Sequence, residues 1–366
     1  MKTKQWHYKF TLLALLLSAY VQGQTYERSR SVLETFYAPP SAEIQVTNKY
    51  GDIHLIPWDI DSVRFEIQLV VTSNKESKID KVFDYVDFDF KLTKYYIIAQ
   101  TIFKNKNTFW SEVADVASMV FSGGTHTQID YTIFYPAKNE LKIENKFGNL
   151  YAGDHIGTVD FRVSNGDIKA HSFTGPTKLQ IEFGNATIEQ VNSATFVVNY
   201  GELYLEQAAE LILESKSSKI FLTECDWLQL DSKRDKYYIK YAGEVSGTSY
   251  FSDLNFDLLG KHISLQTKYG DVKIQTVKPG FQRMEFGSES TSITLYISRE
   301  LYYDIDVTRN DRTQMVFTSS LLTKTETALD DKNETFRVKC TAGKAGKPVV
   351  PVKINAKSGK IFLMNL

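Results

Sequence analysis

Apolar and polar residues alternate along much of this chain in short runs that recur at intervals of about 17 residues. Each recurrence follows a small turn theme: Phe147-Gly148-Asn149, Asn165-Gly166-Asp167, Phe183-Gly184-Asn185, Tyr200-Gly201-Glu202, Tyr269-Gly270-Asp271 and Phe286-Gly287-Ser288. Between Gly201 and Gly270 the same phase passes through Ser218, Asp235 and Ser252. Two and four residues beyond the turn positions from 148 to 270 stand Leu150/Ala152, Ile168/Ala170, Ala186/Ile188, Leu203/Leu205, Ile220/Leu222, Tyr237/Ile239, Leu254/Phe256 and Val272/Ile274, all apolar. Seven beyond come His155, Phe173, Val191, Ala208, Cys225, Ala242, Leu259 and Val277, of which only His155 is polar. A second alternating run, such as Phe196/Val198 or Leu211/Leu213, precedes the next turn. Alternation with period two, twice per repeat, predicts two strands with one face turned inward. The glycines are expected where the chain turns and needs permissive backbone angles.

One such repeat cannot bury its own apolar face, so neighbours must stack and share a core. The pattern therefore predicts an all-β chain, a single-stranded, parallel β-helix-like β-solenoid with rungs of about 17 residues. Outlying copies of the theme, Gly51 followed by Ile53, Leu55 and Trp58, and Gly359 followed by Ile361, Leu363 and Leu366, read as a first and a closing rung. Residues 73–135 interrupt the pattern as an insertion or N-terminal α/β cap. Within it Ile79, Val82, Phe83 and Val86 have helical spacing, and Lys94–Phe103 and Ile129–Tyr135 read as added strands. The expected organisation is a signal peptide over 1–23, N-terminal strands and a first rung over 24–72, the insertion over 73–135, the array over 136–298, and a C-terminal cap with the closing rung over 299–366.

The segment Tyr135-Pro136 followed by Leu141-Lys142-Ile143-Glu144-Asn145-Lys146-Phe147-Gly148-Asn149-Leu150, with the recurring aromatic-Gly-Asp/Asn theme, resembles the bacterial putative-adhesin family of secreted β-solenoid proteins. The resemblance covers roughly residues 40–300 and rests on repeat texture. It implies an envelope or secreted protein with no agreed active-site residues to carry over.

The N-terminus changes the picture further. Lys2, Lys4 and Lys9 precede an apolar run from Phe10 to Ala19 and then Val21-Gln22-Gly23, which reads as a secretory signal peptide cut near Gly23. The run is too short for a stable membrane anchor, and no later stretch has transmembrane length. The expected location is outside the cytoplasm: periplasmic, cell-surface or secreted. Without residues 1–23 the chain has 40 basic against 44 acidic residues, a net charge of −4. That balance excludes nucleic acid as the expected partner. Cys225 and Cys340 are the only cysteines, so cystine staples do not hold the fold. Each lies at an apolar position in its run and is expected as a buried thiol.

Candidate chemistry is sparse. Asn149, Asp167, Asn185, Glu202, Lys219, Lys236, Asp253, Asp271 and Ser288 form one outward column, one residue after each turn position. Stacked Asp253 and Asp271 would suit a cation or an acid pair, but Asn and Asp in turns bond local backbone, and Glu202/Lys219 and Lys236/Asp253 suit cross-strand charge pairs. His54, His126, His155, His171 and His262 show no metal-ligand spacing; His155 and His171 fall on neighbouring repeats and are expected as a corner or surface pair without metal. No phosphate loop or nucleophile elbow is present. The expectation is a non-enzyme without cofactor or metal, an adhesin-like scaffold for an unknown protein or glycan at the envelope. The alternatives are a carbohydrate-active lyase or hydrolase, which needs converging acids, and an envelope sensor or stress component. The segment Thr108–Phe121 is the candidate partner contact, through Phe109, Trp110, Val113, Met119 and Phe121; the competing expectation is that it folds down as the N-terminal cap.

Overall fold

The computed structural model describes residues 25–104, 124–317, 321–330 and 334–366. The expected signal peptide and the segment carrying Phe109, Trp110, Val113, Met119 and Phe121 lie outside the described residues. Nearly everything described is strand, joined in one 23-stranded sheet with both parallel and antiparallel pairings. The only helix among the described residues, α1 (Glu76–Tyr85), buries Ile79 and Val82, as their spacing predicts.

The centre is a parallel stack. Strands β8 (Leu141–Lys146), β10 (Val159–Ser164) and β12 (Thr177–Glu182) pair side by side, as do β9 (Leu150–Ala152) and β11 (Ile168–Phe173). Both rows continue into β13 (Ala186–Asn199), β14 (Glu202–Lys216), β15 (Lys219–Lys233) and the 42-residue β16 (Lys236–Val277). Leu203 pairs with Ile220 and Ile220 with Tyr237, so like positions of successive repeats come together. The inward positions named in the array are all buried except Ala170, which is half-buried; in the outlying copies Trp58 is half-buried and Leu366 is exposed. The buried apolar ones belong to one continuous core that runs from Ala38 to Leu363. Cys225 and Cys340 are both buried and unbridged, and burial pushes their thiols up to about 12 and about 11.

The interruption after the first turn covers the open end of the stack. Strand β2 (Glu43–Lys49) pairs with β8 on one edge and with β6 (Tyr96–Phe103) on the other. Strand β3 (Ile53–Trp58) likewise lies between β9 and β7 (Thr125–Pro136). Antiparallel strands finish both rows: β5 (Val86–Leu92) on β6, and β4 (Ser62–Ser73) then β1 (Tyr26–Tyr37) on β7.

The C-terminal end departs from the sequence reading in two ways. First, Gly270 lies opposite Thr291, so Thr291 and not Gly287 holds the turn position. Gly287 pairs instead with Gln266, and Ser288 is buried beside Thr267, outside the outward column where its spacing placed it. Second, the Gly359 rung does not close the stack. Strands β22 (Val349–Ala356) and β23 (Gly359–Asn365) lie between β17 (Arg283–Ile297) on one side and β18 (Tyr302–Asn310) and β19 (Thr313–Phe317) on the other, all parallel. Strand β21 (Thr335–Gly343) then pairs antiparallel to β18, and β20 (Leu321–Asp330) antiparallel to β21.

The turns bear out the role expected of the glycines at some positions and correct it at others. The left-handed backbone falls on the residue before each turn position: Tyr50, Phe147, Asn165, Phe183, Tyr200, Ser217, Arg234, Phe251, Tyr269 and Ser290 all have φ between 52° and 69°. Gly270 and Gly359 themselves take positive φ, 121° and 110°, as expected, whereas at Gly148, Gly166, Gly184 and Gly201 the glycine is needed for close approach. A β-carbon at Gly184 would stand 1.9 Å from the carbonyl oxygen of Gly166, and one at Gly201 1.8 Å from that of Gly184. At Ser218, Asp235 and Ser252 the bonding differs: the backbone N–H groups of Lys219, Lys236 and Asp253 donate to the carbonyls of Gly201, Ser218 and Asp235 at 3.0, 3.0 and 2.9 Å. Side chains occupy the turn position where this bonding occurs.

Candidate functional site

The outward column after the turn position is engaged in holding neighbouring repeats together. Asp52 Oδ1 accepts the Asn149 N–H at 2.8 Å, Asn149 Oδ1 accepts that of Asp167 at 2.9 Å, and Asp167 Oδ1 that of Asn185 at 2.8 Å. Asn185 Oδ1 continues the row to the Glu202 N–H at 3.0 Å. These side chains bond the next repeat, not the local turn that their composition suggested. Further along, the acceptor moves onto the turn position itself. Asp235, though buried, accepts from the Ser218 and Lys233 N–H groups and from the Ser215 and Ser232 hydroxyls, at 2.7 to 2.8 Å. Burial raises its carboxyl above the usual range against the pull of those four donors.

Charged side chains on the faces mostly satisfy one another. Glu202 pairs with Lys219 at 2.8 Å, Glu244 with Lys261 at 3.1 Å, and Glu289 with Lys268 at 3.0 Å. The lysine hydrogen bonds hold the Glu202 and Glu289 carboxyls below their ordinary value. Lys236 makes no ion pair with Asp253, and Asp253 and Asp271 form no acid pair. Among the described residues no group of His, Cys, Asp and Glu is arranged to hold a metal ion.

The two histidines do not pair. His155 is buried, as its place in the inward series implies, and packs 5.6 Å from the Tyr135 ring. Neither ring nitrogen has a hydrogen-bond partner; the Thr158 backbone lies near enough to favour the charged form without closing a bond. Burial lowers the ring to about 4. His171 is exposed, with Nδ1 on Asp154 and Nε2 2.6 Å from Glu189, and those carboxylates raise it.

Exposed aromatics also form ladders. Tyr204, Phe221 and Tyr238 stack at 4.6 and 5.1 Å within 11° of parallel, and Phe183/Tyr200 and Phe251/Tyr269 stack beside the turns. Each stack spends the facing sides of its rings on a neighbour, while the end rings keep one face outside it.

A recess of 710 Å³ opens where β16 and β17 meet the C-terminal strands, bordered by Tyr250, Gln266, Gly287, Thr308, Asn355 and Lys357. Gln266, Gly287, Asn355 and Thr308 lie in one row across four neighbouring strands. The missing side chain of Gly287 makes the floor, and a β-carbon there would stand 2.0 Å from Gln266 Oε1. The Lys268–Glu289 pair lies along the same wall. The side chains of Gln266, Asn355 and Lys357 make no hydrogen bond with the described residues, although the Lys357 charge acts on the Glu289 carboxylate. Sequence reasoning missed this site, because its row draws on four strands spread from residue 266 to residue 355.

No family model matches the chain, and no curated protein does. Among solved structures, a putative cell adhesion protein from Clostridium sporogenes aligns over 94% of this chain and 100% of its own, at 9% identity and a TM-score of 0.16. A putative adhesin from Parabacteroides distasonis aligns over 70% of this chain and 94% of its own, at 14% identity and a TM-score of 0.30. Likenesses this distant carry no argument about this chain's site. No helix among the described residues is long and apolar enough to cross a membrane.

Proposed function

We propose that this protein is an exported, non-catalytic β-solenoid scaffold, adhesin-like in role, which binds a polyhydroxylated glycan of the cell envelope in the recess around Gly287. The solenoid reading is supported by the parallel pairing of each repeat with the next around one unbroken core. The export reading rests on the basic and apolar N-terminus. The observation that carries the binding site is the contrast between the faces, where charges pair across repeats, and the recess, where two amides and an ammonium group stand without hydrogen-bond partners. An amide offers both a donor and an acceptor, the combination that adjacent sugar hydroxyls match. Specificity in a shallow site depends on such placed polar groups.

Titration calorimetry with a panel of neutral and uronate-bearing oligosaccharides tests the reading. Gln266→Ala and Asn355→Ala are each expected to weaken the best ligand about tenfold, the loss of one net hydrogen bond. Affinity that ignores both substitutions overturns the site, and shortening of the oligosaccharide overturns the non-catalytic reading. N-terminal sequencing of the native protein is expected to begin near Gln24.

A further inference from the structure

In the C-terminal layer, chain order and spatial order disagree: β17 leads to β18 through only Ser298–Leu301, yet β22 lies between β17 and β18, and β23 between β17 and β19. Met284 to Ser288 pair with Val352 to Ala356, and Tyr302 to Arg309 pair with Val349 to Ala356 from the other side. Thr291 and Thr313 both lie opposite Gly359 in the second row. Residues 349–365 thus have sheet partners on both edges. Their inward side chains Val350, Val352, Ile354, Ala356, Ile361 and Leu363 are buried in the common core.

Without this segment, β17 and β18 would present facing edges about 10 Å apart, two strand spacings, a gap that fits one strand. The backbone groups on both edges would then lack partners, and open edges of this kind recruit strands. The segment reaches its place through residues 344–348, which cross over β18 because Tyr302 pairs with Gly343 on one side and with Val349 on the other. Lys344, Ala345 and Gly346 are exposed, and nothing lies within 4 Å of where a Gly346 β-carbon would stand. The connection is therefore able to swing without breaking core contacts of its own.

We propose that residues 349–365 are a donor strand, and that the slot between β17 and the β18–β19 layer accepts the same segment from a second copy of this chain. A second copy fits because it carries the identical apolar alternation and meets the same two edges in the same parallel register. Exchange of an identical element between protomers adds no new interface chemistry.

Thr294 and Phe362 are outward-facing partners across β17 and β23, which allows a direct test in the full chain. One copy carries Thr294→Cys, the other Phe362→Cys, and the two are mixed, partly unfolded in denaturant, refolded and oxidised. A disulfide-linked heterodimer is expected. The double variant in one chain is expected to cross-link internally when dilute; its failure to do so would overturn the layer order. Internal cross-linking without any heterodimer, at the highest refolding concentration, would overturn exchange. Deletion of Lys344–Lys347 supplies a second reading, because the single residue left between Gly343 and Val349 lets the chain reach only about 7 Å, short of the two strand spacings of the crossing. That variant is expected to be a dimer with undiminished strand content by circular dichroism. A monomer of undiminished strand content contradicts the proposal.

Discussion

The side-chain oxygen of Asn149 accepts the backbone N–H of Asp167 at 2.9 Å, one repeat further along the chain. The contact makes each turn in the first half of the stack depend on the side chain of the turn before it. Replacing Asn149 by Ala leaves the partly buried Asp167 N–H without its acceptor and is expected to cost about 1–2 kcal/mol. Asn149→Asp keeps the acceptor and is expected to stay within about 0.5 kcal/mol of the parent. Urea unfolding of the two variants checks the difference; equal losses would mean that the ladder contributes nothing.

The glycines separate by cause. Gly184→Ala places a β-carbon against the Gly166 carbonyl at 1.9 Å, where only backbone movement relieves the clash. A loss of about 3 kcal/mol or more is expected, at the upper end of overpacking effects. Gly346→Ala meets open space and loses only what its φ of 81° costs a side chain, about 1 kcal/mol. Thermal denaturation of both variants should rank them in that order, and the reverse ranking would contradict the close-approach reading.

Asp235 is the acceptor for four donors in a corner closed to solvent. Asp235→Ala strands the Ser218 and Lys233 N–H groups, with about 1–3 kcal/mol expected for each buried donor left without a partner. Asp235→Ser supplies the side chain that neighbouring repeats use at the same position, where Ser252 Oγ accepts the Asp235 N–H at 3.0 Å. The serine variant should therefore retain clearly more stability than the alanine variant. Because burial raises the Asp235 carboxyl, the folded state holds its proton to higher pH than the unfolded state does. This one group thus makes stability fall as pH rises past the ordinary carboxylate range.

His155 acts with the opposite slope. Unfolded, its ring takes up a proton near 6.5, whereas the folded ring resists protonation down to about 4. Between those values the unfolded state binds more protons, so stability decreases on acidification. His155→Phe, matching the Phe173 beside it in the parallel bridge, is expected to flatten the stability profile between pH 6.5 and pH 4. An unchanged slope in chemical denaturation across that interval would show that the ring is not held neutral by burial.

Inward positions such as Leu205, Leu222 and Ile239 are legible because alternation reports directly on which side of a strand meets the core. The helix around Ile79 and Val82 is legible for the same reason with a different period. Val86 reads as part of that helix, although it begins β5, because its place on the helical face masks the start of the strand. Spacing misplaces Gly287 because the residues around the Gly280 turn lengthen that repeat, and a constant period cannot register the shift. The position of β22 and β23 leaves no trace in spacing, since strands paired across many residues carry the same alternation whichever neighbours they choose. The recess is invisible for a related reason: Gln266, Gly287 and Asn355 become adjacent only after that choice is made.

In the proposed solenoid, successive turns of the chain stack one strand spacing apart along a single axis. Lys169, Thr187, Tyr204, Phe221 and Tyr238 form one outward column of paired positions, along which the stacking is measurable. Spin labels at Lys169 and each later member should give separations that grow by about 4.8 Å per step, reaching about 19 Å at Tyr238. Distances that fail to increase in equal steps along the column would contradict the stacked architecture.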